Sequence, residues 1–128
     1  MAGERILIVD DNATNLKLVA YLMRAHGYTV DAALDAESAI EAIRANHPDV
    51  ILMDIQLPGI DGLELTRRLK ADPDTRDIII IAVTAYAMKG DQDKALAVGC
   101  DDYITKPIDT RVLPDTIARH LAKREVMS

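Results

Sequence analysis

The architecture is most legible in RILIVDDN (residues 5–12). Ile6 to Val9 form an unbroken aliphatic run that leads straight into Asp10 and Asp11. A run without polar alternation fits a strand covered on both faces, the pattern of a parallel sheet between helix layers. Adjacent carboxylates repel, and unpaired charge is costly to bury. The pair therefore calls for a neutralising partner from elsewhere in the chain.

The pattern recurs downstream. DVILMD (49–54) and DIIIIAVTA (77–85) read as further buried strands, with YTVDAA (28–33) a weaker one and DYITKP (102–107) a short one. Between them lie helical patterns. TNLKLVAYLMRAH (14–26) places Leu16, Val19, Leu22 and Met23 on one face and stops at Gly27. AESAIEAIRAN (36–46) turns Ala39, Ile40 and Ile43 inward before Pro48. LELTRRLKA (63–71), KGDQDKALAVG (89–99) and TRVLPDTIARHLAK (110–123) complete the set, the last aligning Leu113, Ile117 and Leu121. LPGIDG (57–62) is turn chemistry. Five strand–helix units with right-handed crossovers build a doubly wound α/β parallel sheet flanked by five helices.

Composition bounds the function. The 128 residues suit one domain, and 49% hydrophobic content fills one core. Aromatics make up 3%, all tyrosine, which disfavours base or sugar stacking. The net charge of −6, with no basic block, argues against nucleic acid as a partner. The single cysteine, Cys100, excludes an intrachain disulfide and a cysteine metal site, and reads as a small buried residue. The N-terminus lacks a signal-peptide pattern, and no run approaches the roughly 20 apolar residues of a membrane span. The expectation is a cytoplasmic protein with no membrane partner. Met53 reads as core, and His26, His47 and His120 as surface residues without ligand spacing.

In doubly wound sheets the site lies at the carboxyl ends of the strands. The first strand ends in Asp10–Asp11, the third in Asp54 and the fourth in Thr84, and the fifth leads to Lys106–Pro107. Three carboxylates, a hydroxyl and an ammonium should therefore converge. Such a set suits Mg²⁺, which takes carboxylates, waters and phosphate oxygens. One carboxylate could then act as nucleophile and become an aspartyl phosphate.

The segments ILIVDDN, ILMDIQLPGIDGLEL, IIAVTAYAMKGD and GCDDYITKPI, in that order, resemble the receiver domain of two-component response regulators, the CheY-like fold. The resemblance spans residues 4–124 as one receiver domain and leaves 125–128 as a short tail. MDIQLPGIDG, TAYAMKGD and ITKPI are similar to single-domain cell-cycle regulators of the DivK type. The strand order 2-1-3-4-5 is carried over with that fold.

The resemblance implies a role for each matching residue. Asp54 accepts a phosphoryl group from a histidine. Asp10, Asp11, Asp54 and the backbone carbonyl of Gln56 hold Mg²⁺, for which Mn²⁺ can substitute, with Asp11 binding more directly than Asp10. Thr84 and Lys106 bind phosphoryl oxygens, Tyr103 is the switch aromatic that follows Thr84, and the Lys106–Pro107 bond is cis. Tyr86, Met88 and Tyr103 belong to an interaction face on helix 4, strand 5 and helix 5. The implied partners are a sensor histidine kinase or histidine phosphotransfer protein and a downstream protein target, with the chain a monomer or a weak phosphorylation-dependent dimer. Roughly five residues follow the last helix, so no output domain is expected in this chain.

Plainer readings stand beside these. Asp10 and Asp11 could cap the first helix, Asp54 could be a turn acid, and Lys106 a solvated loop lysine. Thr84 is an ordinary strand residue, Tyr103 a core or edge tyrosine, and Met88 a helix-packing residue. Two other functions fit parts of the pattern. A haloacid-dehalogenase-type phosphatase shares an aspartyl nucleophile, Thr, Lys and Mg²⁺, but needs a second acid where this chain has Gln56, and a cap domain. A receiver-like scaffold would act without phosphorylation.

Overall fold

The computed structural model describes residues 3–55, 62–84 and 89–127. The elements alternate strictly: β1 (Arg5–Val9), α1 (Ala13–Ala25), β2 (Thr29–Ala33), α2 (Ala36–Ala45), β3 (Val50–Asp54), α3 (Gly62–Ala71), β4 (Ile79–Thr84), α4 (Lys89–Ala97), β5 (Asp102–Thr105) and α5 (Val112–Met127). All strand pairs are parallel, in the order β2-β1-β3-β4-β5. The expected doubly wound α/β sheet is therefore observed.

Alternation along each strand sorts the core into two layers. Leu7, Val9, Ile51, Met53, Ile80 and Ala82 face one side, against Ala39 and Ile43 of α2, Leu65 and Leu69 of α3 and Ala95 of α4. Ile6, Ile8, Val50, Leu52, Ile79 and Ile81 face the other, against Val19 and Met23 of α1 and Leu113, Ile117 and Leu121 of α5. Both layers are aliphatic, as the composition required, and Met53 is fully buried.

The local chemistry sets the boundaries. α1 starts at Ala13 because Asn12 is its N-cap, with Oδ1 accepting from the Asn15 N–H at 3.0 Å. The cap is thus neither Asp10 nor Asp11. α2 is capped in the same way by Asp35, whose carboxylate accepts from the Ser38 N–H at 2.8 Å. α5 begins two residues later than the periodicity indicates and runs on to Met127. Asp109 sets its start, its carbonyl accepting from Val112 and Leu113 at 3.1 Å. Pro114 is tolerated because it falls in the first turn. Leu22 and Ile40, expected inward, are only half-buried at the edges of their layers. His120 is a correction: its Nε2 lies 2.9 Å from Asp102 Oδ2 and the side chain is half-buried, because α5 packs along the edge strand β5. Among the described residues no helix is long and apolar enough to cross a membrane.

Candidate functional site

Parallel pairing brings the carboxyl ends of the strands to one rim. β1 delivers Asp10, whose N–H donates to the Ala33 carbonyl of β2 at 3.0 Å. β3 delivers Asp54, in register with Val83 of β4. β4 ends at Thr84, whose carbonyl accepts from the Lys106 N–H at 2.7 Å. That bond ties the residue after β5 to the neighbouring strand end. The Lys106–Pro107 peptide is cis.

The convergence is close. Asp10, Asp11 and Asp54 each offer a carboxylate oxygen within 4.8 Å of the others. Lys106 Nζ donates to Asp54 Oδ2 at 3.1 Å and lies 3.7 Å from Asp10 Oδ2. Asp10, Asp54 and Thr84 are buried, and Asp11 is exposed. Asp10 is held on both oxygens: Oδ1 accepts from the Asn12 N–H at 2.9 Å and Oδ2 from Asn15 Nδ2 at 2.5 Å.

The charges do not balance within the cluster. Three carboxylates face one ammonium, leaving an excess negative charge at a rim where two acids are nearly out of solvent. A hard divalent cation would compensate that excess. The donor set fits Mg²⁺: all oxygens, several of them anionic, and a span close to the separation of about 3–4 Å between oxygens of an octahedral shell. The partial exposure of the rim leaves room for the waters that Mg²⁺ keeps.

The base of the site is tightly packed. Gly62 opens α3 directly against the end of β3, and its N–H donates to the Ile55 carbonyl at 3.2 Å. A Cβ placed there would come 2.3 Å from the Asp54 carbonyl oxygen, so only glycine permits this approach. The turn pattern LPGIDG includes Gly62 without marking this contact, and neither Asn12 nor Asn15 stands out by residue type alone. The Asn-x-x-Asn spacing just before the apolar run of α1 carried the missed signal, since it is the spacing of a helix N-cap and its third residue.

Tyr103 is half-buried and packs against the layer formed by α2, α3 and α4. It also lines a cavity of about 460 Å³ between β5 and α5, with Gln92, Thr105, Val112 and Arg119. Gln56, Tyr86 and Met88 lie outside the described residues. Cys100 is buried, 3.9 Å from Thr66 Oγ1, and burial pushes its thiol up to about 11.

Residues 6–118 match the family model of the response regulator receiver domain. The chain is 46% identical over 116 residues to the polar-differentiation response regulator DivK of Brucella ovis, covering 91% of this chain and 94% of that protein. DivK of Brucella anthropi is 45% identical over the same shares. Among solved structures, a CheY-like receiver domain protein from Methanospirillum hungatei superposes with a TM-score of 0.91 at 31% identity, over 99% of this chain and all of that one. The receiver domain of a histidine kinase from Syntrophus aciditrophicus gives 0.86 at 32% identity, over 94% of this chain and 91% of that one. With the sheet order, the acidic rim and these matches in agreement, the chain belongs to the response regulator receiver domain family of two-component systems.

Proposed function

We propose that this receiver accepts a phosphoryl group on Asp54 from a phosphohistidine of a sensor kinase or phosphotransfer protein, in a Mg²⁺-dependent reaction, and thereby switches its protein contacts. A carboxylate oxygen of Asp54 attacks the phosphorus, the P–N bond to the histidine breaks, and that nitrogen keeps the bonding pair; the ring leaves as neutral imidazole because its other nitrogen carries a proton taken from water. The observation that carries the reading is the Lys106 ammonium, 3.1 Å from Asp54 within a cluster of three acids. Phosphoryl transfer asks a protein mainly for positioning and charge neutralisation. Lys106 supplies positive charge where the phosphoryl oxygens arrive, and Thr84, at the end of the adjacent strand, supplies a hydroxyl donor. Asp10 and Asp11, with the Gln56 carbonyl as the family resemblance implies, would hold the cation together with Asp54. Bound there, Mg²⁺ would offset the charge of the incoming phosphoryl group.

The modified Asp54 biases a two-state equilibrium. Thr84 moves toward the new oxygens, Tyr103 follows, and the face built from α4, β5 and α5 changes shape for a protein target. The cavity beside Tyr103 gives that ring space to move. The receiver unit is residues 4–124 and its setting the cytoplasm.

The test is incubation with Mg²⁺ and acetyl phosphate, followed by intact mass spectrometry. One phosphoryl adduct is expected on the wild type and none on Asp54→Asn. Repeated turnover of a phosphate ester without an adduct would indicate a phosphatase instead. Absence of any adduct, with partner binding intact, would indicate a scaffold.

A further inference from the structure

The Lys106 ammonium has two carboxylates within reach. It bonds Asp54 Oδ2 at 3.1 Å and stands 3.7 Å from Asp10 Oδ2. Asp10 Oδ2 already has a donor, the side-chain amide of Asn15 at 2.5 Å. Asn15 is fixed for this task. It sits in the first turn of α1, its own N–H capped by Asn12 at 3.0 Å. Asn12 in turn donates its N–H to the other oxygen of Asp10. Asp10 therefore receives neutral donors on both oxygens.

We propose that Asn15 is a positioning residue: by occupying Asp10 Oδ2 it keeps the Lys106 ammonium on Asp54, where the phosphoryl group arrives. The inference deepens the reading of Asp54 as phosphoacceptor and rests on it. A buried carboxylate oxygen left without a donor draws the nearest cation, because a charge-assisted bond of about 2.8 Å replaces a lost one. Without the amide, that cation is Lys106. The lysine has space to swing, since Asn15 and Lys106 line the same cavity of about 440 Å³ between α1 and the segment after β5. The excursion shortens one distance at the expense of the other, so Asp54 loses its cation.

The experiment is a double-mutant cycle with two readouts. The first is NMR of the protein labelled with ¹³C-lysine, free of metal, following the Lys106 ε-methylene resonance. Asn15→Ala is expected to shift this resonance in the direction that Asp54→Asn shifts it. In an Asp10→Asn background, where the competing charge is gone, Asn15→Ala should no longer move it. The second readout is transfer from acetyl phosphate at saturating Mg²⁺. Asn15→Ala should lower the maximal rate about tenfold and leave the Mg²⁺ half-saturation point nearly unchanged. An unmoved Lys106 resonance, or an equal shift in the Asp10→Asn background, would overturn the proposal. If wild type takes no phosphoryl group, the proposed function fails, yet the metal-free resonance still decides the role of Asn15.

Discussion

Gly62→Ala tests how tightly the fold fixes Asp54. The added methyl would meet the Asp54 carbonyl oxygen at 2.3 Å and the Ile55 Cα at 2.7 Å. Both are backbone atoms, so no side chain can rotate out of the way. The nearer contact is about 1 Å short of ordinary van der Waals separation, and α3 must retreat from β3 by a similar distance. That movement stretches the Gly62–Ile55 hydrogen bond, now 3.2 Å, and lifts Leu65 and Leu69 from the layer that they fill. Overpacking of this kind costs about 1–3 kcal/mol. For a chain of this size, about 2 kcal/mol lowers the melting midpoint by roughly 6–10 °C. The alternative response leaves α3 in place and displaces the end of β3. A reacting atom misplaced by about 1 Å can lose about a hundredfold in rate. Urea unfolding should show a lower midpoint with an unchanged slope, and phosphoryl uptake from acetyl phosphate should slow. A variant within about 0.5 kcal/mol of wild type, with an unaltered uptake rate, would refute the claim that the α3–β3 contact holds the phosphoacceptor.

Other perturbations have equally definite expectations. Mg²⁺ at about a hundred times its dissociation constant should stabilise the fold by about 2.7 kcal/mol. Asp11→Asn should abolish most of that gain yet raise the metal-free midpoint, because it relieves repulsion among the three acids; a scanning calorimetry series with and without Mg²⁺ checks both signs. Cys100, whose thiol burial holds at about 11, should resist alkylation at pH 8 until the protein unfolds. Its contribution to stability is complete below the ordinary thiol value of 9.0 and erodes as pH rises toward about 11, so Cys100→Ser should flatten that limb of the stability–pH curve. Asp49 accepts from the Arg5 N–H at 2.8 Å and from Arg124 Nη2 at 3.0 Å, joining β1, the approach to β3 and α5. Arg124→Ala should cost about 0.5–1 kcal/mol, and Asp49→Ala about 1–3 kcal/mol, because only the second strands a part-buried amide; denaturant titration would rank them.

Which elements form, and of what kind, is written in local sequence. Aliphatic runs such as Ile6–Val9 and Ile79–Val83 must be covered on both faces, and the helical spacing of Leu16, Val19 and Met23 must face a core. These are short-range properties, set by the period of the backbone and by water's exclusion of apolar surface. Strand ends could be read for the same reason, and so could the acids and lysine that occupy them. How those groups pair emerges once the strands are packed side by side. Lys106 and Asp54 are 52 residues apart, and Arg5 and Asp49 are 44 apart. Their distances follow from strand order and register, which no local pattern encodes. The same holds for His120 against Asp102, for Gly62 pressed on the end of β3, and for Asn15 holding Asp10 beside a lysine from the far side of the sheet. A side chain's chemistry belongs to its residue, but the partner that completes it is chosen by packing.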